Sequence, residues 1–321
     1  MATEFLIAPA GGGKTQACIE RIRVVKRGNP FALVWVLLPN PQAAAQFKAR
    51  LAAAGASIGV KVGHFPLFYR EILEERGQFV PIITPPLSHR LLQETVREAS
   101  DAGELGHYQA IKDKPGFLSV LVDAFAEMRG GLVLPEEFLE RTRESTPARR
   151  ELAILYARLD AKLAEIGWSD HEGLSWLAID ALRSSPQASN SLSLVVLDGF
   201  TAFTKAQREF VRLLGGEVLI TLTGEGKCER SVHRRTQKVL RELVGELDCS
   251  FLTPLPSSRA KLNAPTPSAG QRSGDGKKAI QQMEQYLLVG EGAQPISISE
   301  PIMLEARSQA EEAREALRWI K

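Results

Sequence analysis

The run Glu4-Phe5-Leu6-Ile7-Ala8 followed at once by Pro9-Ala10-Gly11-Gly12-Gly13-Lys14-Thr15 constrains this chain more than any other segment. A short apolar run that stops at a proline suits a buried strand. Glycines let successive backbone N–H groups turn inward around an anion. A lysine neutralises the β and γ phosphate oxygens, and a hydroxyl residue holds Mg²⁺. Beyond Thr15, the pattern Ala17, Cys18, Ile19, Ile22, Val24 and Val25 reads as a helix with one apolar side, so the loop opens a helix whose positive dipole end faces the anion. Strand, glycine loop and helix together read as a P-loop. The expected cofactors are ATP and Mg²⁺, and the expected nucleotide contacts are Ala10, Gly11, Gly12, Gly13, Lys14, Thr15 and Gln16. One departure is Ala8, which stands where the first glycine of the pattern usually does. Alanine fits there if its φ is negative. The competing reading is a glycine-rich turn that binds nothing.

The rhythm of the first third repeats. Residues 32–38 form a second apolar strand, Gln42 to Ala53 an alanine-rich helix, and Gly59 to His64 a third short strand. Strands alternating with helices predict a parallel sheet covered on both faces. From about residue 66 helical patterns take over: Leu67 to Arg76, Leu87 to Ala99, Gly116 to Arg129, Pro135 to Arg143 and Arg149 to Ile166. Strands return at Leu192 to Leu197 and Glu217 to Thr223, with a helix over Lys205 to Leu214 between them. The expected division is therefore an α/β domain from 1–65 plus 190–321, interrupted by an inserted helical domain at 66–189. Residues 254–278, rich in Pro, Ser, Gly, Arg and Lys, are expected to be a flexible loop. Arg307 to Lys321 has helical spacing without a terminating glycine or proline, and reads as a chain cut from a longer protein.

A P-loop enzyme needs a second acid at a strand end to support Mg²⁺. Leu194-Val195-Val196-Leu197-Asp198 supplies it, so Mg²⁺ is assigned to Thr15 and Asp198, the latter through water. A strand-ending Asp-Gly turn is the plainer alternative. Hydrolysing motors carry a glutamate after this aspartate; here the residue is Gly199. Glycine can neither accept a proton nor position water, and losing general-base catalysis costs about 10²–10⁴-fold in rate. The expectation is nucleotide binding with little turnover; the alternative is a separate carboxylate that arrives from elsewhere in the fold and supplies the base. Thr223 and Glu225, at the end of the next strand, are candidates for sensing the γ-phosphate.

Taken together these residues resemble the AddB-type subunit of bacterial AddAB helicase–nucleases, within the superfamily 1 (UvrD/RecB-like) helicase fold. The resemblance extends over nearly the whole chain. It rests on Pro9 to Thr15, on Leu37-Leu38-Pro39-Asn40-Pro41-Gln42-Ala43, on Lys114-Pro115-Gly116-Phe117, on Glu127-Met128-Arg129 and on Val196 to Thr204. The last segment carries the aspartate-glycine-phenylalanine (Asp198-Gly199-Phe200) that AddB-type chains have where active helicases have aspartate-glutamate. The resemblance implies a P-loop RecA-like parallel sheet with helices on both faces and a large inserted helical domain. It also implies a role in processing DNA double-strand ends for recombination repair, with single-stranded DNA or a duplex end and a catalytic AddA-like helicase–nuclease subunit as partners. The family's nuclease domain, with its iron–sulfur cluster, lies further towards the C-terminus, and nothing in these residues supplies its ligands.

Net charge decides little: 40 Lys+Arg against 38 Asp+Glu give +2, a balance that averages away any local basic face. The stretch Lys205 to Arg241, centred on His233-Arg234-Arg235, is a candidate DNA contact; so are the aromatics of Phe65-Pro66-Leu67-Phe68-Tyr69. The plainer expectations are a solvated charged face and core packing, and Trp168, Trp176 and Tyr156 are also expected in the core. Cys18, Cys228 and Cys249 lack paired spacing and read as reduced thiols. His89, His107 and His171 have no metal-ligand spacing. No apolar run reaches the roughly 18 residues of a membrane span, and no signal peptide is evident, so a cytoplasmic protein without membrane contact is expected. Two readings compete: a self-sufficient P-loop NTPase or kinase, and a DNA-binding scaffold whose P-loop is a relic.

Overall fold

Strands whose apolar runs are nearly continuous must be covered on both faces, and the sheet they build is parallel throughout. The computed structural model describes residues 3–8, 12–55, 58–184, 192–224, 234–246 and 249–251. The strands are β1 (Thr3–Ala8), β2 (Leu33–Leu37), β3 (Val60–Gly63), β4 (Leu192–Leu197), β5 (Glu217–Thr223) and β6 (Cys249–Phe251). Their order across the sheet is β3-β2-β4-β5-β1-β6. The strand that feeds the glycine loop therefore lies two places from the strand that ends at Asp198, with β5 between them.

Alternate residues of each strand enter two cores. Leu6, Val34, Val36, Leu194, Val196 and Leu219 pack under α1 (Lys14–Gly28) and α2 (Pro41–Ala53). On the other face, Phe5, Trp35, Leu37, Val195, Leu197 and Ile220 pack against α3 (Phe65–Glu74), α8 (His171–Ser184) and α9 (Lys205–Arg212). Val239 and Leu243 of α10 (Arg234–Glu246) close that second core. This is the α/β fold with helices on both faces expected from the sequence.

The helices between β3 and β4 divide by what they cover. α3 and α8 lie on the sheet, whereas α4 (Pro85–Asp101), α5 (Pro115–Gly130) and α7 (Pro147–Ile166) enclose their own core around Leu92, Leu121, Phe125, Leu155 and Tyr156. α6 (Pro135–Thr142) joins them through the partly buried Phe138. Two backbone hydrogen bonds join the segments that enter and leave this lobe: Ile83 N–H donates to Ser169 O at 2.8 Å and Ser169 N–H donates to Pro81 O at 3.0 Å. The described parts of the sheet and the helical lobe belong to one compact unit.

Helix starts follow one device. α2, α4, α5, α6 and α7 each begin on a proline, whose missing N–H costs nothing in the first turn and whose φ is already helical. Apolar periodicity alone leaves most of these prolines outside, so the helices expected from it start one or two residues late. α8, α10 and β6 are additions to the expected elements. The flexible-loop expectation at 254–278 and the helical one at Arg307 to Lys321 lie outside the described residues. Among the described residues, no helix is long and apolar enough to cross a membrane.

Candidate nucleotide-binding site

Pro9, Ala10 and Gly11 lie outside the described residues; Gly12, Gly13, Lys14, Thr15 and Gln16 form the rest of the loop and the opening of α1. Gly13 has φ +82°, the left-handed region that glycine enters without a Cβ clash. It stands at the N-cap of α1 with no side chain capping it, and no acidic residue lies in the first turn. The early N–H groups of the helix and its positive dipole end thus meet the loop without a resident carboxylate. Lys14 reaches back over the loop, its Nζ donating to Ala8 O at 2.9 Å. Ala8 O also accepts the Gly224 N–H at 3.1 Å, which holds the ends of β1 and β5 together. Gln16 turns along the helix, Nε2 to Glu20 Oε1 at 3.4 Å.

Across the sheet, Asp198 follows β4 and is 5% exposed. Its N–H extends the ladder to Leu37 O at 3.1 Å. Thr15, 183 residues away in sequence, donates its hydroxyl to Asp198 Oδ2 at 2.8 Å. The other oxygen, Oδ1, accepts the Thr221 hydroxyl at 2.5 Å. The two residues assigned to Mg²⁺ are therefore brought into direct contact, and Thr221 joins them from the strand between. Cys18, on the next turn of α1, is buried; burial pushes its thiol well above the usual range, and the nearby Asp198 adds to the effect. Cys228 and the side chain of Cys249 lie outside the described residues.

The residues present suit a bound Mg²⁺. Thr15 spends its proton on Asp198, which leaves the oxygen lone pairs for a cation. Mg²⁺ keeps several waters and takes few protein ligands. Among the described residues, no three His, Cys, Asp or Glu side chains form a group that could hold a metal ion by themselves.

Gly199 follows with φ +83°. A Cβ built there would lie 3.8 Å from Pro39 Cδ, on the loop after β2. Its N–H makes a long contact with Thr221 Oγ1 at 3.4 Å. The position is thus turned into a conformation that disfavours an L side chain.

Other candidates resolve differently. Thr223 is exposed at the end of β5, and Glu225 lies outside the described residues. Two positions before Thr223, Thr221 makes the contact to the acid. Its signal in the sequence is a lone hydroxyl inside an otherwise aliphatic buried run, since a buried polar group needs a partner. Phe65, Phe68 and Tyr69 are 3%, 1% and 3% exposed and pack edge-on against Phe210. They are core residues, unavailable for base stacking. Tyr156 is buried, and Trp168 and Trp176 are partly buried against the lobe core. In the basic stretch, Arg208 pairs with Glu242 and Glu246, and Arg212 with Glu209. Arg212 and Arg183 hold the Glu209 carboxyl down at about 2. His233 and the side chains of Arg234 and Arg235 lie outside the described residues.

The strand order, with the glycine loop, Thr15 and Asp198 gathered at the C-terminal ends of parallel strands, defines a RecA-like α/β protein. Comparison with known proteins then places it more narrowly: the chain belongs to the family described as "ADDB, N-terminal", whose model matches residues 5–248. Its curated relatives are each named as the B-type subunit of an ATP-dependent helicase/deoxyribonuclease. That of Bacillus pumilus is 28% identical over 226 residues, covering 64% of this chain and 19% of the relative. That of Moorella thermoacetica is 28% identical over 239 residues, 69% of this chain and 20% of the relative. For Pelotomaculum thermopropionicum the identity is 26% over 331 positions, 95% of this chain and 27% of the relative. The chain thus spans only 19 to 27% of the length of these relatives.

Proposed function

We propose that this chain is the ATP-binding, helicase-like portion of a helicase/deoxyribonuclease subunit that processes DNA double-strand ends for recombination repair. It holds Mg²⁺–ATP and hydrolyses it slowly if at all. The observation that carries the reading is the hydrogen bond from Thr15 of the phosphate loop to Asp198, beside a Gly199 whose φ is +83°. The loop glycines and Lys14 bind the phosphates, Thr15 and Asp198 hold the cation, and Gln16 sits beside the nucleotide. Position 199 offers no base to activate water. The relatives' shared name supports a DNA substrate and a companion subunit, which we assign to a catalytic AddA-like chain. The division into an α/β domain (1–65 with 190–321) and an inserted helical domain (66–189) belongs to the same proposal, as does a cytoplasmic location.

Calorimetric titration with Mg²⁺–ATP, on wild type and Lys14→Ala, tests it alongside a DNA-stimulated ATPase assay. Binding that is lost in Lys14→Ala, with negligible turnover in wild type, is the expected result. Robust turnover overturns the reading of Gly199. Absence of binding makes the loop a structural relic.

A further inference from the structure

We propose that Thr221 is a positioning residue of the Mg²⁺–nucleotide site, an inference that rests on the nucleotide-binding reading above. Thr221 lies in β5, opposite Leu6 of β1. On its other side the register of β4 ends at Leu197 opposite Ile220, which sets Asp198 beside Thr221. It is 1% exposed, on a strand where Val218, Leu219, Ile220 and Leu222 are all buried. A hydroxyl has one proton to give, and that of Thr221 goes to Asp198 Oδ1 at 2.5 Å.

The acid is therefore gripped at both oxygens, by two threonines of different standing. Thr15 rides on the phosphate loop and holds Oδ2. Thr221 is anchored in the middle of the sheet and holds Oδ1. Together they set the plane of the carboxylate. Both donors are neutral, so they orient Asp198 without setting a positive charge beside it. Mg²⁺ demands near-ideal octahedral geometry and retains much of its water. An acid that acts on it through water must present its oxygens in a set direction. Thr221 supplies that direction from the sheet and touches neither nucleotide nor metal.

The prediction is specific to the metal. Thr221→Val keeps the shape and removes the donor. ATP affinity in Mg²⁺, measured by calorimetry on the full chain, is expected to weaken about tenfold, the loss typical of one hydrogen bond to a charged group. ATP affinity in EDTA is expected to stay at the wild-type value, and Thr221→Ser is expected to recover the Mg²⁺-dependent part. Thr221→Ala, which leaves room for a water, gives the same comparison if the valine variant does not fold. Equal weakening with and without Mg²⁺, or none at all, overturns the inference while nucleotide binding itself stands. Wild-type protein that binds no ATP overturns the nucleotide-binding reading, and this inference falls with it.

Discussion

Two buried charges organise this molecule in opposite ways: Asp198 at the C-terminal end of β4 and Arg129 in the helical lobe. Arg129 is 1% exposed. Its guanidinium meets Asp160 at 2.8 Å from Nη2, and Asp170 through Nη1, and it lies over the Tyr156 ring with Cζ 5.8 Å from the centroid. Burial pulls its pKa down, but Asp170 and Asp160 together outweigh that and hold it above the usual value. Two carboxylates and an aromatic face surround the charge, while its Nε is buried without a hydrogen-bond partner among the described residues. Asp198 is gripped by neutral hydroxyls, which bring no opposite charge of their own. Compensation by opposite charges makes a staple, whereas compensation by neutral dipoles makes a place where a cation can sit.

The staple has a position to match. Arg129 lies in the last turn of α5, Asp160 lies in α7, and Asp170 precedes α8 and caps it, its Oδ1 accepting the Gly173 N–H at 2.7 Å. The Arg129 backbone carbonyl also accepts the Trp176 indole N–H at 2.8 Å. The Glu127-Met128-Arg129 segment that carries part of the family resemblance thus joins three helices near the segments that enter and leave the lobe.

The sharpest way to break the contrast is Arg129→Met. Breaking a buried ion pair by removing one partner costs about 3–5 kcal/mol. The lower end, about 3 kcal/mol, is expected because the Asp160 and Asp170 side chains are 38% and 26% exposed. The urea midpoint should fall accordingly, with ATP affinity unchanged in the protein that stays folded. A stable variant that lost affinity would mean that the two regions are coupled.

A smaller effect is expected at Glu151, another carboxylate held by dipoles. Its oxygens accept the backbone N–H groups of Gly106, His107 and Tyr108 at 3.0, 2.7 and 2.9 Å. Burial pushes the carboxyl up, but the three donors outweigh it and hold the group below its usual value. Because the folded-state value is depressed, the stabilisation is present above the unfolded value of about 4.3. It is lost as pH falls through the folded one. Glu151→Gln should lower stability at pH 7 by about 1–2 kcal/mol, and should flatten the fall in the unfolding midpoint between about pH 5 and 3. If that slope stays as steep as in wild type, other carboxylates carry it.

A stability effect of similar size, with little change in activity, belongs to Gly199→Glu. Restoring the motor's glutamate places an L residue at φ +83°, at a cost of about 1–2 kcal/mol, and directs its Cβ towards Pro39. Melting should shift slightly and ATPase should stay near background. A large gain in turnover would show that one substitution separates this site from an active motor.

The sequence and the structure agree most closely where local chemistry leaves little choice. β2 is a short, continuously apolar run and β4 is one broken only by Ser193, which suits strands covered on both sides. α8 is less legible: Gly173 weakens its first turn, and the Asp170 cap is also claimed by Arg129. β6, three residues long, has no periodicity to read. For the aromatics after β3, spacing alone leaves stacking and core packing both open. Burial against Phe210 decides for the core.

The site divides along the same line. The turn Gly13-Lys14-Thr15 into α1 is legible because consecutive residues build it, so its shape is written in the chain order. Asp198 is legible because a strand closing on an acid is also local. Thr221 is not, because its role depends on β5 lying between β1 and β4, and only pairing across the sheet brings its hydroxyl to Asp198. The identity of Gly199 is plain in the sequence. That its backbone is turned to φ +83° is a property of the tertiary fold, because a dihedral outside the common regions persists only where the surrounding contacts hold it.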